Sequence, residues 1–413
     1  MANAGRWQEA EQLWHEVRKL EPRHPQALFS LGFHALHRGD LGAADQLLRA
    51  AREVAPRDPL VLMTLAAAAT ARGDAAAARE AIDAALTLDP YFLPGLLAKG
   101  GWFERFGSPV AAANMYANAL KVAPPKNHWP ETLRSQLEHA STVVDRHARA
   151  YGAYLANALA PLQEALPPRS ASRWRESAAI MAGLSKPYHS VCNQLHVPRL
   201  AEHQFYAREQ FPWIAALEAK TEVIRAELLA ALEHDRERFN PYIAYNPGEP
   251  VNQWGELNHS LRWSTLALWR GGEPVAENLE RCPETARALA EVEMAAIGGL
   301  CPNAMFSALA PKTRIPPHHG ETNARLVAHL PLIVPDGCLM RVGFEERPWN
   351  VGEVFVFDDT IEHEARNDSD ELRVVLIFDV WNPQLSTQDR QVVNALASAA
   401  RAYGQPQPAA AQA

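Results

Sequence analysis

The sequence predicts two fold classes in series: an all-α solenoid, then an α+β domain around a double-sheet barrel or jelly roll. Three observations carry this. Glycines, prolines and alanines recur every 34 residues through the first 125 positions. The period then stops while the texture stays helical. After Asn303 the apolar pattern changes to alternation, with Pro, Gly, Asp and Asn punctuating short runs.

The repeat stands on three independent rows: Gly5, Gly39, Gly73 and Gly107; Pro22, Pro56, Pro90 and Pro124; and Ala10, Ala44, Ala78 and Ala112. Each unit reads as two short amphipathic helices. Leu28, Leu31 and Ala35 lie at helical spacing on the first, and a small residue (Gly32, Ala66, Gly100) marks the crossing, where backbones approach closely. Gly39-Asp40 and Gly73-Asp74 break the chain between helices, and proline closes the unit because it cannot continue a helix. The first unit starts at its Gly turn, so its leading helix is missing and three and a half repeats remain. An uncapped apolar edge is expected there, covered by upstream residues or by another chain. A row of Phe29, Phe33, Met63 and Leu97 is the expected binding groove.

Residues 126–186 are expected to be a helical linker, with an Ala-rich run from His139 to Leu166 ending at Pro167-Pro168. A further helix is expected from about Trp213 to Leu232. Five strands follow: MFSALA, ARLVAHLPLIV, CLMRVGF, EVFVFDD and LRVVLIFDVW. In the second, Arg325, Val327 and His329 share one face and Leu326, Ala328 and Leu330 the other.

Composition narrows the function. Of 413 residues, 40 are basic and 48 acidic, giving a formal charge of −8, with no long Lys/Arg run. Such a chain is a poor candidate for gripping nucleic acid or anionic lipid. No stretch reaches the roughly 18 consecutive apolar residues of a membrane helix, and no signal peptide is evident. Cys192, Cys282, Cys301 and Cys338 are widely spaced without a CxxC pair, which suits a reducing compartment. The expected location is the cytoplasm.

Three residues of the strand region suggest chemistry. His318 lies in the PPHHGETN loop, His363 in the FDDTIEHEARND turn, and Arg373 ten residues further on, inside the last strand. Histidines from separate strand ends can form an open metal site, since imidazole suits iron, copper and zinc. An arginine beside it offers a planar fork for a carboxylate. This combination fits a non-haem Fe(II) oxygenase using a 2-oxo acid. Singly, each residue is more often surface, core or salt bridge; their joint order makes the functional reading the better one. Trp254, Trp263 and Trp269 either wall off the pocket or pack as core.

From about His196 to Pro383 the chain resembles the aspartyl/asparaginyl β-hydroxylase family. The segments carrying the resemblance are MFSALAPKTRIPPHHGETNARLVAHLPLIVP, PWNVGEVFVFDDTIEHEARND and LRVVLIFDVWNP. The 34-residue period resembles the tetratricopeptide repeat, which also precedes this domain within that family. The resemblance implies a double-stranded β-helix (cupin-like jelly roll) dependent on Fe(II), 2-oxoglutarate and O2. It implies His318 and His363 as iron ligands and Arg373 as partner of the distal carboxylate of 2-oxoglutarate. His329 and Ser307 match positions contacting the cosubstrate, and Arg325, on the same face as His329, could reach cosubstrate or substrate. His319 is the alternative to His318. The usual facial-triad carboxylate position is Gly320, as expected for a family that lacks that ligand. Asp358 and Asp359 are alternative carboxylates, expected instead to shape the turn and orient His363.

The expected organisation is repeats over 1–125, linker over 126–186, catalytic domain over 187–396 and an Ala/Gln/Pro-rich tail over 397–413. The expected activity is hydroxylation at Cβ of an Asp or Asn in a peptide or protein held by the repeats. Val327 stands where some relatives carry a second arginine, which weakens the case for an acidic substrate. A free amino acid, small peptide or lipid-linked group is the alternative. From other classes, a non-catalytic repeat scaffold and a zinc-dependent jelly-roll hydrolase or isomerase are both disfavoured. The sequence does not determine oligomeric state.

Overall fold

A computed structural model describes residues 7–404. The chain divides into two compact units at Lys186/Pro187. None of its described helices is long and apolar enough to cross a membrane.

The first unit is helical throughout. Helix α1 (Trp7–Leu20) precedes three helix pairs: α2 (Pro25–His37) with α3 (Leu41–Val54), α4 (Pro59–Ala71) with α5 (Ala75–Leu88), and α6 (Leu93–Phe106) with α7 (Pro109–Val122). Local chemistry sets these boundaries at the repeat spacing. The side chains of Asp40, Asp74 and Ser108 each accept from the backbone N–H three residues on, capping α3, α5 and α7. Pro25 and Pro59 open α2 and α4, where the missing N–H is harmless. At Gly100 a Cβ would run into the Tyr116 ring, so the crossing of α6 and α7 needs glycine. Among the described residues of α1, Ala10 is buried and Leu13 is half exposed. Gly5, the start of the glycine row, lies outside the described residues.

Two expectations for this unit change. Leu97 is not a groove residue: it is buried with Ala112, Ala113 and Tyr116 in the core between helices. Phe29, Phe33 and Met63 remain partly exposed. The expected linker is instead packed onto the solenoid. Helix α8 (Glu131–Gln163) buries Leu137, Ala140 and Val143 in the same core as α6 and α7, and α9 (Pro168–Ala182) follows. Helix α8 begins before the Ala-rich run and passes through Pro161, which stands in its last turn.

The second unit opens with α10 (Ile214–Glu218) and α11 (Thr221–His234), two helices where one was expected. Strands β1 (Asn240–Pro241), β2 (Trp263–Arg270) and β3 (Glu273–Pro274) come next, then α12 (Ala276–Arg281) and α13 (Pro283–Ala290). The remaining strands are β4 (Ala304–Leu309), β5 (Thr313–His318), β6 (Arg325–Ile333), β7 (Cys338–Val342), β8 (Glu345–Pro348), β9 (Phe355–Phe357), β10 (His363–Asn367) and β11 (Arg373–Trp381). Helix α14 (Thr387–Gly404) closes the described chain. Its Ala397 is buried beside Trp381 and Leu385, so the expected tail begins inside a packed helix; residues 405–413 lie outside the described residues.

The strands form two antiparallel sheets. The larger runs β1-β2-β4-β11-β6-β9, with β3 on β2; the smaller runs β5-β10-β7-β8. One face of the larger sheet packs on α10, α11 and α13 through Leu266, Phe306, Leu330 and Leu376. Its other face meets the smaller sheet, with Trp263, Val327 and Val375 clustering against Ile315, Met340 and Ala365. The alternation expected on β6 is present: Leu326, Ala328 and Leu330 join the helix-side core, while Arg325, Val327 and His329 turn inward.

Candidate active site

Between the inner faces lies a cavity of about 910 Å³, lined by Ser307, His318, His329, His363 and Arg373, each from a different strand. His318 ends β5 and His363 begins β10, and the two are direct cross-strand partners. The expected loop at Pro316-Pro317 is a strand. It lies at the edge of its sheet, where proline's missing N–H breaks no ladder on the open side.

The two imidazoles have ring centroids 4.0 Å apart. Each Nδ1 is hydrogen-bonded to the carbonyl two residues upstream, His318 to Pro316 at 2.8 Å and His363 to Ile361 at 3.0 Å. A carbonyl only accepts, so Nδ1 carries the proton and Nε2 keeps its lone pair. Burial pushes His318 down to about 4. Burial, and then His318 itself, hold His363 well below the ordinary histidine range. Both are thus neutral donors at neutral pH. Trp254 meets His318 edge-on at 5.0 Å, and Phe357 meets His363 at 5.5 Å.

No group of three His, Cys, Asp or Glu residues suited to a metal is present among the described residues. The donor set still fits a first-row divalent ion with open positions: two neutral imidazoles, each fixed in tautomer by a backbone carbonyl. His319 also lines the cavity, but its Nδ1 is bonded to the Thr360 carbonyl at 2.9 Å, on a different anchor from that of His318. Neither aspartate orients His363, whose Nδ1 is held by Ile361. Asp358 accepts from the Thr360 N–H and hydroxyl, at 3.0 and 2.5 Å. Asp359 fills the space beside Gly320, where a Cβ would strike its carboxylate; the Gly320 N–H also donates to the Asp359 carbonyl at 2.7 Å.

Arg373 is 1% exposed. Its guanidinium carbon lies 4.7 Å over the Trp349 ring, and its Nη1 makes a long hydrogen bond to the Ser307 carbonyl at 3.5 Å. Nε has no partner. Burial lowers its pKa to about 10, which leaves it charged at neutral pH. The neighbouring Ser307 Oγ accepts from Trp263 Nε1 at 3.1 Å. His329 Nδ1 accepts from Trp349 Nε1 at 3.1 Å, so its remaining N–H is on Nε2. Burial first, and the Arg373 charge second, keep His329 neutral.

Arg325 lines the same cavity, but its charge is already paired. Its guanidinium makes ion contacts with Asp359 at 2.6 Å and Asp379 at 3.3 Å, off the hydrogen-bond directions, and lies 3.9 Å from Glu321. Burial opposes its charge, but Asp359 and Asp379 outweigh burial and raise its pKa well above the ordinary value. Its charge is compensated in place and not free for a cosubstrate carboxylate. Trp254, Trp263 and Trp269 all line the cavity, and Trp263 is also core. Sequence reasoning missed Trp349, although PWNVG carried a signal: an aromatic between two strands, in a segment already singled out.

Residues 218–383 match the family profile described as aspartyl/asparaginyl beta-hydroxylase, and residues 2–68 match a tetratricopeptide repeat profile. The chain is 33% identical over 184 residues to the aspartyl/asparaginyl beta-hydroxylase of Mus musculus, covering 44% of this chain and 23% of that protein. It is 36% identical over 138 residues to human aspartate beta-hydroxylase domain-containing protein 2, covering 33% and 37%. It is 33% identical over 192 residues to the ornithine lipid ester-linked acyl 2-hydroxylase of Rhizobium tropici, covering 46% and 64%. The chain spans less than two thirds of the length of each. Both histidines and Arg373 fall inside the span that matches the aspartyl/asparaginyl beta-hydroxylase profile, and the tetratricopeptide match precedes it in the chain.

Proposed function

We propose that the domain is an Fe(II)- and 2-oxoglutarate-dependent hydroxylase. One observation carries this reading: a charged, buried Arg373 with an unpartnered Nε at the wall of the cavity that holds two neutral, facing imidazoles. Such an arginine is destabilising unless an anion meets it. Iron held by His318 and His363 would supply O2 activation, with 2-oxoglutarate giving up two electrons as succinate and CO2 form and one oxygen atom entering a substrate C–H bond.

The chain's own groups would do the rest. Arg373 takes the far carboxylate of the 2-oxo acid through its planar fork. Ser307 and the Nε2–H of His329 donate to the same ligand, and Trp349 holds Arg373 and His329 in place. Trp254 and Phe357 flank the histidines and exclude water from the reacting carbon.

The substrate of this reading is an Asp or Asn side chain of a peptide or protein, hydroxylated at Cβ and recruited by the repeats. A second reading has a specific basis. Val327 faces the cavity as an apolar side chain, and Arg325 is compensated by Asp359 and Asp379. Neither supplies a free cation for an acidic side chain. A free amino acid, small peptide or lipid-linked group is therefore the alternative, in line with the name of the Rhizobium tropici relative, an ornithine lipid ester-linked acyl 2-hydroxylase.

The test is anaerobic titration with Fe(II) and 2-oxoglutarate. Wild type is expected to develop the weak visible charge-transfer band of the ternary complex, and His363→Ala to lack it. Arg373→Ala is expected to keep iron but need about 10- to 150-fold more 2-oxoglutarate, the loss of a charge-assisted pair of about 1.5–3 kcal/mol. No band from an iron-loaded wild type would overturn the proposal and favour the scaffold or hydrolase alternatives.

A further inference from the structure

Residues 189–197 precede the span matched by the family profile. They form a strap between the loop that leaves His318 and the turn that enters His363. On the His363 side, the Val191 N–H donates to the Thr360 carbonyl at 2.8 Å and the Ser190 and Thr360 hydroxyls meet at 2.6 Å. On the His318 side, the Gln194 N–H donates to the Glu321 carbonyl at 3.0 Å, and Leu195 bridges to Thr322. Further along, Val197 and Asn323 exchange hydrogen bonds of 2.8 and 2.9 Å.

Asn193 occupies the centre of this lacing. Its backbone N–H donates to the Gly320 carbonyl at 3.0 Å, and its Nδ2 donates to the His319 carbonyl at 2.8 Å. One residue therefore holds the two peptide carbonyls that follow His318, and it also lines the cavity rim. Those carbonyls orient the peptide planes through which the chain leaves His318. Gly320 adds no side-chain packing of its own, so this turn depends on hydrogen bonds for its shape.

The geometry points to Asn193 as a positioning residue for the His318/His363 pair, acting through the His319 and Gly320 carbonyls. This rests on the reading of the two histidines as metal ligands. The strap sets where His318 directs its Nε2 relative to that of His363, and so sets the affinity and geometry of the metal site. Its side chain is exposed, so removing it should disturb the site without disturbing the fold.

The test is titration of the full chain with Co(II) under anaerobic conditions, following the visible d–d bands, in parallel with thermal unfolding. Wild type is compared with Asn193→Ala, Gln194→Ala and His363→Ala. Asn193→Ala is expected to weaken Co(II) binding about tenfold, the low end of the range for partners behind a ligand. It should also shift the d–d bands while moving the melting temperature by no more than about 2 °C. Gln194→Ala, which removes only the bond to the Glu321 carboxylate, should bind like wild type. Wild-type affinity and bands in Asn193→Ala would overturn the inference. So would an equal loss in Gln194→Ala, or a weakening matched by a large drop in melting temperature. If wild type binds Co(II) no better than His363→Ala, the ligand reading itself fails and takes this inference with it.

Discussion

Trp349 and Arg373 share one contact with two consequences. The indole face lies under the guanidinium, and its N–H is donated to His329. One side chain from the turn between β8 and β9 thus aligns a buried cation and sets the tautomer of a neighbouring imidazole.

That arrangement predicts a split in kinetics. Trp349→Phe keeps a ring beneath Arg373 but removes the hydrogen bond to His329, worth about 0.5–1.5 kcal/mol. The KM for 2-oxoglutarate should rise about two- to tenfold with kcat little changed. Trp349→Ala should be worse, because the cation–π contact goes as well. Succinate formation at varied 2-oxoglutarate measures both; unchanged KM in both variants would remove Trp349 from the site.

The contact between Gly320 and Asp359 predicts non-additivity. Gly320→Ala drives a Cβ into the Asp359 carboxylate and should destabilise the domain by about 1–3 kcal/mol. Combined with Asp359→Ala, which removes the obstruction, the loss should be smaller than the sum of the two single variants. Urea denaturation of the four proteins gives the coupling, and strict additivity would mean the loop relaxes without resistance.

Acid stability should contain a contribution from Glu218. Its carboxylate accepts from both Nη atoms of Arg208 at 2.8 Å and from the Val354 N–H at 2.7 Å, tying α10 to the chain entering β9. Burial pushes this carboxyl up, but the hydrogen bonds from Arg208 and Val354 prevail and leave it below its ordinary value of 4.5. The stability it supplies is therefore fully present above that value and is lost as pH falls through the lowered one. Glu218→Gln should be about 0.5–1.5 kcal/mol less stable than wild type at neutral pH, a modest figure because water screens the half-exposed Arg208. The gap should close below pH 4.5; a constant gap from neutral to strongly acidic pH would contradict the assignment.

Truncation should depend sharply on where the chain is cut. Beginning at residue 126 strips α6 and α7 from α8 and uncovers Leu137, Ala140 and Val143, so that chain should aggregate. Beginning at Pro187, where the units divide, should leave 2-oxoglutarate binding intact and reduce hydroxylation of a peptide substrate. Equal peptide turnover with and without the repeats would rule out recruitment by them.

Much of this was legible because it is local. The 34-residue period writes its caps and crossings into each unit, as Asp40, Asp74 and Ser108 illustrate. The alternation on β6 placed Arg325, Val327 and His329 on one face. What escaped depends on partners far away in sequence. Strand β5 was hidden by two prolines, acceptable because β5 lies at a sheet edge and its register with β10 shifts there. The compensation of Arg325 requires Asp379, which lies on another strand. Leu97 looked like a groove residue until α7 and α8 closed over it. Trp349 gave no periodic signal, since its role comes from what it touches on β6 and β11.

Strand β11 directs Val374, Leu376, Phe378 and Val380 toward the helices, and Arg373, Ile377 and Asp379 toward the cavity. Six steps of extended chain separate Arg373 from Asp379, roughly 20 Å of a central strand hydrogen-bonded on both sides. That strand is a gauge: the distance between the anchor at one end and the acid at the other is as stiff as the sheet. A slip of one residue would turn both inward-facing charges into the helix-side core, so the gauge cannot drift by degrees. Substitutions around Asp379 can reshape that end of the cavity while the surroundings of Arg373 stay as they were, which leaves the two ends of the cavity free to diverge separately.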